Sequence, residues 1–161
     1  MKRPSLHTDY VPASLERLEE SRVLIEARHY SGAIYFAGLA AESLIKGFLE
    51  AKGEEIKGHN LATLARDANL SRRLKQNVRL RFDAAVQEAA QIWRNLYRYC
   101  SEADLDRMGN QNNVRFELDG KLVRYAELPQ DTRLRYWAER MYNLAALIVG
   151  EGRLLWQSKK I

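Results

Sequence analysis

Apolar positions recur at intervals of three and four residues over most of this chain, the period of α-helices. Ser14 suits a helix N-cap, with Glu16 in the first turn, where the dipole favours an acid. Leu15, Leu18 and Ile25 follow at helical spacing. The pattern predicts a first helix from Ser14 to about His29, preceded by a flexible tail over residues 1–12. A second helix is predicted from about Tyr30 to Lys52, with Gly53 as its stop. Its residues Ala33, Ile34, Phe36, Ala37, Leu44, Ile45, Phe48 and Leu49 are apolar almost all round, as in the middle of a bundle. Gly32, Gly38, Ala40 and Ala41 are small enough for neighbours to approach closely.

Gly58-His59-Asn60 marks a loop, and Asn60 can cap a short helix holding Leu61, Leu64 and Ala65. Ser71 can cap a long helix from about Arg72 to Tyr99, whose stripe is Val78, Phe82, Ala85, Ala89, Ile92 and Leu96. Met108 to Asn113 is polar and rich in Gly and Asn, which predicts a loop. From Val114 to Tyr125 apolar and polar residues alternate across Asp119-Gly120. That is a hairpin signal, because a type I′ turn needs positive φ at both central residues. Beyond Pro129, a last helix carries Leu134, Trp137, Met141, Leu144, Ile148 and Leu155 in a heptad-like pattern.

Composition narrows the class without naming a reaction. The 161 residues suit a single domain over 1–161, and 46% hydrophobic content is enough for one core. The single cysteine excludes an internal disulfide and a cysteine-rich zinc site. Three scattered histidines lack metal-ligand spacing, so neither a metal nor a cofactor is expected. No Gly-rich phosphate loop and no Gly-x-Ser-x-Gly elbow is present. The net charge of +5 permits an anionic partner without demanding one. The basic start lacks an apolar run, so it does not read as a secretory signal. Glu42 and Lys46 interrupt the apolar stretch Ala33 to Leu49, so no membrane span is expected. The expected location is the cytoplasm.

Candidate chemistry gathers in two places. On the second helix, Tyr35, Gly38, Glu42, Lys46 and Leu49 share a stripe. Glu42 and Lys46 can form a structural ion pair, or line a groove with Tyr35 and His59. At the end of the long helix, Arg94, Arg98 and Ser101 share a stripe, surrounded by Trp93, Tyr97 and Tyr99. Aromatics beside arginines suit both a packed interface and base stacking. His59 serves either as a loop brace or as a proton carrier. His29 can simply favour a helix dipole, and His7 falls in the expected tail. Arg66, Arg72, Arg73, Lys75, Arg79 and Arg81 make either a solvated face or a phosphate-contact surface.

The segment Tyr35 with Ala37-Gly38-Leu39-Ala40-Ala41-Glu42-Ser43-Leu44-Ile45-Lys46 resembles the core helix of HEPN-domain proteins. So do Gly58-His59-Asn60-Leu61 with Leu64, and Trp93-Arg94-Asn95-Leu96-Tyr97-Arg98-Tyr99. The resemblance spans roughly Ser14 to Ser101, plus the final helix. It implies an all-α antiparallel bundle of four to five helices, usually a homodimer, with the hairpin inserted before the last helix. Many members are metal-independent ribonucleases of toxin–antitoxin, phage-defence or RNA-processing systems. Their site is an Arg, a polar residue and then a His a few positions beyond. Arg94-Asn95 matches its start, but Tyr99, Cys100 and Ser101 stand where the histidine belongs. The chain therefore resembles a branch without the usual catalytic histidine. Arg22 and His29 mimic the spacing, but Val23 replaces the polar residue.

Members lacking the histidine look like binding modules, some of them paired with a small nucleotidyltransferase. The leading expectation is thus a non-catalytic dimeric module for a nucleotide, RNA or a protein partner, with Tyr35, Glu42, Lys46, His59, Arg94 and Arg98 lining its groove. The alternative is a ribonuclease with a divergent site. Arg94 would stabilise phosphorane charge, Asn95 would orient the phosphate, and Tyr99 or His59 would move the proton. A third possibility is a dimeric scaffold in which these residues are structural.

Overall fold

The computed structural model describes residues 7–158. It is a helical bundle built from α1 (His7–Glu26), α2 (Tyr30–Ala51), α3 (Leu61–Asp67), α4 (Leu70–Arg73), α5 (Gln76–Ile92), α6 (Glu102–Gln111) and α7 (Arg133–Ser158). A hairpin of β1 (Arg115–Leu118) and β2 (Lys121–Arg124) precedes α7. Short 3₁₀ turns occupy Asn95–Tyr99 and Tyr125–Glu127.

The apolar circumference of α2 puts it at the centre, between α1 and α7. Ala33, Ile34, Ala37, Ala40, Ala41, Leu44, Ile45, Phe48 and Leu49 are all buried there. α2 is also the one helix among the described residues that is long and apolar enough to cross a membrane; two thirds of that stretch is covered by its neighbours in the bundle. The short Ala27–His29 link makes α1 and α2 antiparallel neighbours. Ser21 Oγ ties them by donating to the Ala33 carbonyl at 2.8 Å.

α1 begins earlier than its sequence suggests. Residues 7–12 are helical, so the expected tail is folded from His7 onward, and residues 1–6 lie outside the described residues. Ser14 is not a cap. It is buried inside the helix, where its hydroxyl donates back to the Val11 carbonyl.

The expected long helix from Arg72 to Tyr99 is three pieces. Ser71 lies within α4 and donates to Asp83 Oδ2 at 2.7 Å instead of capping. Arg79 ends α4 by donating to the carbonyls of Ser71, Arg72 and Leu74. α5 keeps the expected stripe from Val78 to Ile92, then stops because long-range bonds take its end. The Trp137 indole N–H donates to the Ile92 carbonyl at 3.0 Å. Trp93 and Arg94 are both extended, at φ −128° and −138°. Leu96, the predicted end of the stripe, is exposed.

The segment read as a loop from Met108 to Asn113 is largely α6. Ser101 caps it by accepting from the Asp104 N–H, and Asp104 returns the bond to the Ser101 N–H. Gly109 is required inside this helix, since a Cβ there would come within 2.6 Å of the Tyr125 ring.

The hairpin forms where Asp119-Gly120 places it, with φ of 48° and 75° and Phe116 opposite Val123. Phe116 and Tyr125 are fully buried and contact Trp137 edge-on. The insertion therefore closes an aromatic cluster between α5, α6 and α7.

Candidate functional site

α2 supplies the first group of polar residues. Gly38, Glu42 and Lys46 follow one another at successive turns of a single stripe. Glu42 is only 2% exposed. Its Oε1 accepts from Lys46 Nζ and from His59 Nδ1, the latter at 2.8 Å. Lys46 Nζ and His59 Nδ1 stand 3.5 Å apart on this shared oxygen. Gly58, at φ +72°, turns the chain so that His59 reaches α2. Asn60 then accepts from the Thr63 N–H and starts α3, as its position in the sequence implies.

The protonation pattern follows from the acceptor. A carboxylate only accepts, so His59 carries its hydrogen on Nδ1. Neutral His59 therefore presents the lone pair of Nε2, and the ring is half exposed. Among the described residues, Glu42 Oε2 is buried without a hydrogen-bond partner, as is Glu50 Oε2 two turns on. Burial, then the charges of Glu50 and Glu42, push the Tyr10 phenol above its ordinary value.

The second group rides on the 3₁₀ turn Asn95–Tyr99. Its root is Trp93, whose indole N–H donates to the Tyr35 carbonyl at 3.2 Å and whose ring covers Gly38. Tyr35 itself is half-buried. Glu42 lies one turn beyond Gly38, roughly 6 Å along the helix axis. Arg94 is exposed beside Tyr97; burial raises the Tyr97 phenol and the Arg94 charge opposes that rise. Arg98 lies 4.5 Å over the Tyr99 ring, and Tyr99 is 75% exposed. Asn95 is half-buried. Among the described residues, neither Arg94 nor Arg98 has a carboxylate partner.

The structure brings Glu42, Lys46 and His59 together and keeps Arg94, Asn95, Arg98 and Tyr99 on one turn. Among the described residues, no hydrogen bond or ion pair joins the two groups. Arg94, Arg98 and Ser101 do not share a helical stripe, because Arg94 is extended and a 3₁₀ turn repeats every three residues. Arg22 is held by Glu19 and Glu26 on exposed α1, so it forms no site with His29.

Sequence reasoning passed over a third group. Arg133 donates to both oxygens of Asp106, and the Tyr125 hydroxyl donates to Asp106 Oδ1 at 2.6 Å. Arg133 also donates to Asn110. Asp106 is held below the usual carboxylate range, first by Arg133 and then by Tyr125. This group fastens α6 and the hairpin to α7. Its members are 19 and 27 residues apart, so no local spacing announces it.

Compared with known proteins, the chain matches the family model of the HEPN domain over residues 9–115. No curated protein and no solved structure matches the chain.

Proposed function

Because the chain belongs to the HEPN-domain family, we propose that it is a homodimeric cytoplasmic binding module that recognises the phosphates of RNA or a nucleotide, in a toxin–antitoxin or phage-defence setting. The observation that carries this reading is the 3₁₀ turn Asn95–Tyr99. Among the described residues, Arg94 just before it and Arg98 within it lack carboxylate partners, and Tyr99 offers an exposed ring against Arg98. Arginines contact phosphate bidentately, and an exposed aromatic gives a base a stacking face. Lys46 adds a donor on the α2 stripe, with His59 beside it on the same carboxylate. Glu42 orients them and offsets the Lys46 charge.

Fluorescence anisotropy with labelled single-stranded RNA tests this reading. Arg94→Ala and Arg98→Ala should each weaken binding about tenfold with the helical circular dichroism unchanged, matching a lost charged contact of ~1.4 kcal/mol. Equal binding by wild type and both variants overturns it.

The Glu42–His59 hydrogen bond favours a second reading, a ribonuclease with a divergent site. A carboxylate on Nδ1 orients a histidine so that Nε2 can accept a proton. Arg94 would then stabilise phosphorane charge, and Asn95 would orient the phosphate. Cleavage of RNA in EDTA by wild type, lost in both Arg94→Ala and His59→Ala, would establish this second reading over the first.

A further inference from the structure

α7 contains two glycines, and the fold accounts for one of them. A Cβ at Gly152 would lie 2.2 Å from the Leu44 side chain, so packing on α2 requires that glycine. A Cβ at Gly150 would meet nothing within 4 Å. Glycine is the poorest helix former after proline, and Gly150 lies inside a 26-residue helix. Nothing within the bundle offsets that cost. Gly150 borders a shallow trough of about 600 Å³ on the outer face of α7. Leu154 is 61% exposed there, and Ala146 and Leu147 are half-buried. Arg153 is exposed and has no carboxylate partner among the described residues. The inner stripe of α7, from Trp137 to Leu155, packs into the core, whereas this second stripe faces outward.

We infer that this face joins two copies of the chain, with α7 pairing antiparallel to its counterpart across a two-fold axis at Gly150. The inference rests on the homodimer of the proposed function and gives it a location. The outward residues complement a reversed copy of themselves, as a two-fold contact demands. Ala146 and Leu154 stand four residues to either side of Gly150, so a small side chain meets a large one on the partner. Asn143 and Gln157, both exposed, stand seven residues to either side, so amide meets amide. The Arg153 stem crosses the partner's Leu147 and carries its charge toward the partner's Glu151, of which Arg81 takes only Oε1. The paired glycines let the axes come inside the ~8–10 Å usual for packed helices. A lipid surface or an RNA would not require glycine there, but a close second backbone does.

This pairing fixes where the arginine turns go. α5 ends against Trp137, which lies about 20 Å along α7 from Gly150. The two-fold axis then sets the two turns at opposite ends of the dimer, about 40 Å apart along the paired helices. Each turn holds its own stretch of phosphate, and neither completes the other.

Analytical ultracentrifugation without RNA tests the interface. Wild type should sediment as a dimer. Gly150→Leu has room in the single chain and should melt no lower than wild type. It should nevertheless raise the dimer dissociation constant about a hundredfold, because each added side chain meets its own symmetry mate. Leu154→Glu, at an exposed position, should act in the same direction. Gly150→Cys should cross-link as a disulfide dimer on mild oxidation, since the axis brings the two residues within the ~4–7 Å Cα separation a disulfide spans. Wild type, with Cys100 alone, gives the background. Short single-stranded RNA should bind Gly150→Leu as tightly as wild type, because the turns act separately. The inference is overturned if wild type is a monomer, if Gly150→Leu and Leu154→Glu remain dimers, or if Gly150→Cys cross-links no more than wild type. A monomeric Gly150→Leu that binds RNA more weakly overturns the separation of the turns. Oligomeric state is read without RNA, so failure of the phosphate reading leaves the interface result standing.

Discussion

Gly38 and Trp93 occupy each other's space: a Cβ added at Gly38 would lie 2.0 Å from the Trp93 indole. The contact seats Trp93, the residue after α5, just before the turn that carries Arg98. Gly38→Ala is therefore expected to displace Trp93 and cost about 1–3 kcal/mol, the usual range for overpacking. Urea unfolding measures the loss, and RNA binding should weaken with it. A stability equal to wild type would mean that the indole has room to move.

Glu42 is the anchor of the Lys46–His59 pair. Replacing it with Ala removes the carboxylate that both donors share and should cost about 1–3 kcal/mol, since Lys46 and the half-exposed His59 can still reach water. Glu42→Gln keeps the shape and should cost less. Nitrogen-detected NMR of the imidazole checks the geometry directly. Neutral His59 should show its hydrogen on Nδ1 in the wild type, and the Nε2–H tautomer should gain population in Glu42→Ala.

Asp106 links folding to acid. Arg133 and Tyr125 lower its carboxyl in the folded protein, so it contributes stability above its unfolded value near ~3.9. That contribution disappears as pH falls through the lower, folded value. Asp106→Asn should therefore lose about 1–2 kcal/mol at pH 7, a figure reduced by partial solvent contact. The gap between wild type and variant should close as unfolding is measured at progressively lower pH toward 2. A gap that stays constant across this range would exclude the charged pair as its cause.

Ser101 caps α6 with Asp104 as its reciprocal partner. Ser101→Ala should cost about 1 kcal/mol in thermal or chemical unfolding. The faster amide exchange should concentrate in α6, since α1, α2 and α7 do not rest on this cap.

Much of this architecture is written locally. The all-round apolar α2, the Asn60 cap and the Asp119-Gly120 turn each depend on neighbours within a few residues, so the sequence displays them. The same holds for Glu42 and Lys46, one helical turn apart, and for the Gly58 bend that delivers His59. The end of α5 is different. Leu96 continues the apolar period, and what stops the helix is Trp137, 45 residues away, taking the Ile92 carbonyl. Arg94 and Arg98 were therefore legible as residues but not as an arrangement. α6 did carry a signal, Ser101-x-x-Asp104, which the Gly and Asn content outweighed. Its Gly109 looks like a breaker and is instead a seat for Tyr125. Asp106 and Arg133 meet only through tertiary packing, and nothing short of the fold pairs them.

Trp93 is almost wholly buried, one residue before Arg94, with its indole N–H on the Tyr35 carbonyl. An indole in that setting emits at short wavelength, and water reaching it moves the emission to the red. Any ligand that pulls Arg94 hard enough to lift Trp93 from Gly38 will change the colour of the protein's own fluorescence. The chain thus carries a built-in optical gauge beside its arginine turn, readable without a label.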